Sequence, residues 1–232
     1  HRLIRRQRQM CIRDRHISAR YKSILKSLDN TWHPLDDSRV KIVREVLEWL
    51  EHPDEKLKII HIAGTNGKTS TGAMLGSILK ANGYSYGHFS SPFIISSREQ
   101  ICIDDIMITK SEFIVYYEKL VTCFKLHGVT ANHLSYFEYF TVISLLYFAD
   151  HQVDFVLFEA GLGGLRDATN AIASPLLTVF TKVSIDHQGL IGRNLTEIAE
   201  NKAAIIKQGT WVIDYPGQEL AVRQVLKART AA

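Results

Sequence analysis

From residue 17 onward the chain alternates two kinds of apolar pattern. Residues 17–28 and 36–51 carry apolar side chains at helical spacing. Val40, Val43, Leu47 and Leu50 share one face of the second stretch, and Asp36 and Asp37 stand at its start, where acidic groups suit the positive end of a helix dipole. His33-Pro34 separates the two stretches. Strand-like and helix-like runs then follow in turn: strand 57–63, helix 68–82 closed by Gly83, strand 84–89, helices 110–127 and 135–150, strands 154–159 and 176–181, helix 194–206, strand 211–214 and helix 218–228. The runs KIIHIA and DFVLFE lack the polar alternation of a half-exposed sheet, as expected of strands covered by helices on both faces. The pattern predicts an α/β fold built on a doubly wound, mostly parallel sheet. With no internal repeat, low-complexity tract or linker, residues 16–232 read as one domain.

The first strand runs into Gly64-Thr65-Asn66-Gly67-Lys68-Thr69-Ser70 and then into a helix. That is the context of a phosphate-binding loop: glycines let the backbone approach an anion, N–H groups and the helix N-terminus face it, and Lys68 adds a point charge. Thr69 stands where such loops place a hydroxyl for Mg2+. The generic spacing asks for glycine at position 62, where this chain has Ile62, so a plain glycine-containing turn is the competing reading. Glu159 ends an apolar run and so lies at the carboxyl edge of the sheet, beside that loop. It is the first candidate for a Mg2+ ligand, the alternative being an acid that caps the next turn. Lys202 shares a helical face with Leu195, Ile198, Ala199 and Ile206. A lysine there is costly unless it is paired, is chemically altered, or packs its stem while the amine reaches solvent. Ser135 and Glu138 have the spacing of a capping box ahead of an apolar helix, and Glu138 is read as that cap.

GTNGKT after an apolar strand resembles the phosphate loop of the Mur ligase superfamily. Further matches follow in order: Ser90-Ser91-Pro92, Ser135-Tyr136-Phe137-Glu138, Glu159-Ala160-Gly161-Leu162-Gly163-Gly164 with Asp167-Ala168-Thr169-Asn170, Asp186-His187, and Asn201-Lys202-Ala203 with Ile205-Ile206-Lys207. The EAGLGG and DATN segments resemble the folylpolyglutamate and dihydrofolate synthase branch, and the likeness covers roughly residues 17–228. It implies a Mur-ligase-like central domain with a P-loop. The implied activity is ATP-dependent joining of L-glutamate to the carboxylate of a folate or dihydropteroate through an acyl phosphate, with ATP and Mg2+ bound. It also implies roles. Gly64 to Ser70 would hold ATP, and Lys68, His187 and Lys202 would serve catalysis. Ser91, Glu159, His187 and a carbamylated Lys202 would support the metals. Ser135, Phe137, Asp167 and Ala168 would line a pterin pocket, with plain core packing as the other reading of Phe137.

Several positions depart from that branch: the loop reads GKTS rather than GKGS, Phe93 replaces a histidine after Ser-Pro, Leu165-Arg166 stands for Arg-Leu, and Asn201-Lys202-Ala203-Ala204 stands for EKAG. The chain is expected to stop before the family's second domain and to be inactive alone. The alternatives are a Mur-type ligase acting on another carboxylate and a nucleotide-binding fragment without catalysis.

Charge narrows the partners. The formal net charge is +4 over 232 residues, but residues 1–15 hold six arginines against Asp14, a local +5 that leaves the rest at −1. A basic surface is therefore not a property of the body of the protein, and nucleic-acid binding loses its main support. Residues 1–15 lack helical periodicity and read as a non-native or disordered segment, or else as a basic arm for a polyanion. No run reaches the roughly 18 apolar residues of a membrane span, and Cys11, Cys102 and Cys123 are too scattered for a metal site or disulfide framework. The expectation is a monomeric cytoplasmic protein that binds neither nucleic acid nor membrane.

Overall fold

The computed structural model describes residues 2–231, with side chains from residue 14 onward. Seven α-helices and seven strands follow along these residues. They are α1 (Arg2–Leu28), α2 (Ser38–Trp49), β1 (Ile59–Ala63), α3 (Lys68–Ala81), β2 (Tyr86–Phe89), β3 (Ile101–Ile103), β4 (Ile106–Met107), α4 (Lys110–Leu126), α5 (Tyr136–Asp150), β5 (Phe155–Glu159), β6 (Leu177–Phe180), α6 (Leu195–Ala203), β7 (Trp211–Asp214) and α7 (Leu220–Thr230). The sheet order is β4-β3-β2-β5-β1-β6-β7, and every pairing from β2 to β7 is parallel. The loops that leave the carboxyl ends of β1, β2, β5 and β6 therefore open on the same edge, where α/β sheets bind ligands.

Side chains alternate across the sheet. Ile59, Val156 and Phe158 face a large core shared with α1, α2, α4 and α5. Ile60, Ile62 and Leu157 face the other way, toward Leu75 and Leu79 of α3. A third cluster joins Phe180 to Ile198 and Ala203 of α6 and to Val222 and Leu226 of α7. Helix α5 is buried from Glu138 through Phe148 without a polar face, the mark of a helix enclosed by its neighbours.

Two features differ from the sequence pattern. The first helix, expected from residue 17, begins at Arg2. RLIRRQRQMCIRDR contains no glycine or proline and consists mostly of good helix formers, so a helix propagates through it without needing an apolar face. The antiparallel hairpin β3–β4 falls in what the pattern left as a connection. Its two-residue turn places Asp104 and Asp105 at φ 49° and 71°, a conformation disfavoured for residues with a Cβ. Tertiary bonds hold them there: Asp104 accepts from the Tyr86 amide at 3.0 Å, and Asp105 accepts from the Tyr86 hydroxyl at 2.6 Å.

Candidate functional site

The phosphate loop is built by the turn from β1 into α3. Gly64 adopts φ 151° and packs so closely on the next strand's end that a Cβ would lie 1.9 Å from Thr181 Oγ1. Gly67 is left-handed at φ 85° and caps α3, whose first residue is Lys68. Thr65 fastens the loop to the segment after β6: its hydroxyl donates to the Ser184 carbonyl and accepts from the Ser184 amide, both at 3.0 Å.

Two lysines converge on one carbonyl. Lys68 Nζ donates to Gly64 O at 3.2 Å and Lys202 Nζ donates to the same oxygen at 3.1 Å. Lys202 is 3% exposed, so its amine does not reach solvent. Burial, reinforced by the positive charge of Lys68, pushes its pKa down to about 8, against an opposing pull from Asp186 and Asp167.

Glu159 is fully buried at the end of β5. Both carboxylate oxygens have partners: Thr69 Oγ1 donates to Oε2 at 2.9 Å, and His88 Nε2 lies 2.6 Å from Oε1. Among the described residues no three histidine, cysteine or carboxylate side chains meet as a metal cage. Mg2+ does not require one: it keeps several waters and takes one or two protein oxygens beside substrate phosphates. The Thr69 hydroxyl and the Glu159 carboxylate beside the loop fit that sparse demand.

A cavity of about 520 Å³ joins the loop to the other predicted residues. Thr65, Lys68 and Lys202 form part of its wall, with Ser91 from the loop after β2 and Asp186 and His187 from the segment after β6. Ser135 and Phe137 from the start of α5 and Gly161, Asp167 and Ala168 after β5 complete it. Phe137 lies against Gly161, where a Cβ would sit 2.5 Å from the ring, so one edge of the ring packs while the residue still borders the cavity. His187 has φ 45° and its Nε2 is 3.6 Å from Asp186 Oδ1. Asn66 and Ser70 are exposed on the loop. A larger groove of about 640 Å³ lies between α6 and α7, but none of the predicted site residues lines it.

Asp167 is buried, and burial pushes its carboxyl above the ordinary carboxylate range although it accepts from the Leu162 amide at 2.7 Å and the Thr169 amide at 3.0 Å. The Thr169 hydroxyl also donates to it, at 2.5 Å. That hydroxyl has one proton, so His61 Nε2–H, 2.9 Å away, must be the donor in their contact. A hydrogen-bonded chain thus runs from the cavity wall to the strand that carries the phosphate loop. Burial holds His61 neutral, its pKa pushed down to about 3.

Glu138 does act as a cap, accepting from the Ser135 amide at 2.7 Å. It is also one half of a buried ion pair with Arg39. Arg39 and His88 are the two partners the sequence reading missed. Each left a trace: Arg39 stands four residues before Val43 on the apolar face of α2, and His88 interrupts a short apolar strand that ends at the ligand-binding edge.

Residues 62–210 match the Mur ligase middle domain. The chain therefore belongs to the Mur ligase family. Among its relatives is the dihydrofolate synthase/folylpolyglutamate synthase of Bacillus subtilis, 40% identical over 79% of this chain and 43% of that protein. The folylpolyglutamate synthase of Mycobacterium tuberculosis, solved with ADP and AMPPCP, superposes with a TM-score of 0.81 at 30% identity over 93% of this chain and 48% of that one. A solved FPGS–AMPPCP–folate complex superposes with a TM-score of 0.79 at 29% identity over 91% of this chain and 52% of that one. The chain spans 43% of the length of the Bacillus protein.

Proposed function

We propose that this chain is the nucleotide-binding part of an ATP-dependent ligase that joins L-glutamate to the carboxylate of a folate or dihydropteroate. The observation that carries the reading is a single cavity in which the phosphate loop and two lysines meet the Ser135–Phe137 and Asp167–Ala168 wall. One end suits a polyphosphate and the other a flat heterocycle. The relatives that bind an ATP analogue and folate support assigning those ligands to the two ends.

In the reaction, a carboxylate oxygen of the pterin substrate attacks the γ-phosphorus of ATP and ADP leaves, giving an acyl phosphate. The amine of glutamate then attacks the acyl carbon, phosphate leaves, and a proton is released to form the amide. The protein supplies no nucleophile; positioning and electrostatics carry the catalysis. Gly64 to Ser70 cradle the phosphates, and Lys68 stabilises negative charge on the transferred group. Thr69 and Glu159 would hold Mg2+, with Ser91 and His187 contributing from the facing loops, and the ion would neutralise phosphate charge when bound. Lys202 has a substantial neutral fraction near pH 8, and the neutral amine is the form that adds CO2 with loss of a proton to become a carbamate. Phe137 offers its ring face to the pterin, and Ser135 and Asp167 offer polar contacts.

Binding of AMPPCP with Mg2+, measured by titration calorimetry with and without dihydropteroate, tests the reading. Tighter nucleotide binding in the presence of the pterin is the expected result. Binding of nucleotide with no response to any pterin would redirect the claim to a Mur-type ligase acting on another carboxylate. We extend the proposal to a cytoplasmic monomer that binds neither nucleic acid nor membrane. The −1 charge outside residues 1–15 supports the part of it that concerns nucleic acid; among the described residues no helix is long and apolar enough to cross a membrane.

A further inference from the structure

His88 is used by nothing in the reaction described above, yet it makes one of the shortest contacts in the site. It sits on β2, one strand away from Glu159 on β5, and the register pairs His88 with Leu157, two residues before Glu159. The histidine side chain is 13% exposed and the Glu159 side chain is fully buried. The space they share exists because α3 carries Gly72 there: a Cβ at that position would lie 2.5 Å from His88 Nε2 and 3.2 Å from Glu159 Oε1. Three elements therefore converge on one carboxylate, and the third must lack a side chain for the contact to form.

The two donors divide the carboxylate between them. Thr69 takes Oε2 and His88 takes Oε1. An ionised carboxylate only accepts, so His88 meets Oε1 with an Nε2–H. With one donor on each oxygen, the carboxylate plane cannot rotate about its last bond without breaking a buried hydrogen bond. We propose that His88 is a positioning residue for the metal–nucleotide site, acting through Glu159 by fixing the carboxylate that faces the phosphate loop. The proposal rests on the reading of Glu159 and Thr69 as holders of Mg2+. Residues that orient a metal ligand from behind typically alter metal affinity ten- to a hundredfold when removed.

The test uses the 232-residue chain, with Mn2+ as the spectroscopic stand-in for Mg2+. Free Mn2+ is counted by electron paramagnetic resonance in the presence of AMPPCP, and nucleotide affinity is measured separately in EDTA. His88→Leu is expected to weaken Mn2+ binding about tenfold while leaving metal-free nucleotide binding within about twofold. His88→Gln, whose amide nitrogen can reach the place of Nε2, is expected to stay within about threefold of the parent. Equal Mn2+ affinity in all three proteins overturns the proposal. So does a loss shared equally by both variants, or a matching loss of metal-free nucleotide binding, since either would make His88 a packing residue only. A parent chain that binds AMPPCP but no Mn2+ overturns the assignment of Thr69 and Glu159 first, and this inference with it.

Discussion

Lys202 offers the sharpest test of how the site is built, because its burial sets its charge. The gap between a pKa of about 8 in the fold and the ordinary 10.5 corresponds to roughly 3 kcal/mol of disfavour for the charged amine. The lowered pKa means that the unfolded chain holds the proton more tightly. Between pH 8 and pH 10.5 the unfolded state binds more protons than the folded one, so stability rises with pH across that window. The penalty is fully present below pH 8 and fades toward pH 10.5. Lys202→Met removes it, together with one charge-assisted hydrogen bond to Gly64 O, whose worth is about 1.5–3 kcal/mol. The carbonyl keeps its bond from Lys68 at 3.2 Å. At pH 7 the two effects partly cancel, and the variant should be as stable as the parent or up to about 1.5 kcal/mol more stable. At pH 10 the parent has recovered most of its penalty, so the variant should be about 2 kcal/mol less stable. Urea unfolding followed by circular dichroism at both pH values, in CO2-free buffer with EDTA, reads the difference directly. A parent–variant gap that stays constant within about 0.5 kcal/mol between pH 7 and pH 10 would refute the placement of a lone buried amine at this position.

Other consequences are equally open to measurement. Gly64→Ala should cost about 2–4 kcal/mol in urea unfolding, since its Cβ would overlap Thr181 Oγ1 and its φ of 151° is strained for alanine. A loss below about 1 kcal/mol would mean that the loop relaxes freely. Glu138→Ala leaves Arg39 buried and unpaired and should destabilise the fold by about 3–5 kcal/mol, whereas an exposed cap alone would cost only about 1 kcal/mol. Lys68→Ala should weaken AMPPCP binding at least tenfold in calorimetry without lowering the unfolding midpoint, because the hydrogen bond it loses goes to Gly64 O, which keeps its bond from Lys202, and its charge works against the buried Lys202 amine.

Much of the fold was written into periodicity. Every α-helix and parallel strand was placed to within a few residues apart from the start of α1, because apolar spacing of about 3.6 residues marks the face a helix must bury and a short continuous apolar run marks a strand covered on both faces. The β3–β4 hairpin escaped that reading: its strands are short, and its turn relies on Asp104 and Asp105 in a conformation stabilised by Tyr86, a residue 18 positions away in the chain for Asp104. The phosphate loop was legible for a different reason. Its glycines, lysine and hydroxyl are contiguous, so local sequence carries both the backbone turn and the chemistry.

What only the tertiary structure decided is the state of the charged groups. Sequence placed Lys202 on an apolar face but left open whether its amine escaped to solvent. Its burial at 3% exposure, against the carbonyl of Gly64, settles that question. Glu138 was readable as a cap, yet its pairing with Arg39 spans 99 residues, and no local pattern encodes a partner at that distance. His88 is the same case: its meaning comes from the neighbouring strand and from the missing side chain at Gly72. Local propensity and spacing fix the elements, because each residue's preference is set by near neighbours. Charge, protonation and ligand geometry depend on solvent exclusion and on contacts between distant segments, and those exist only once the sheet edge has been assembled.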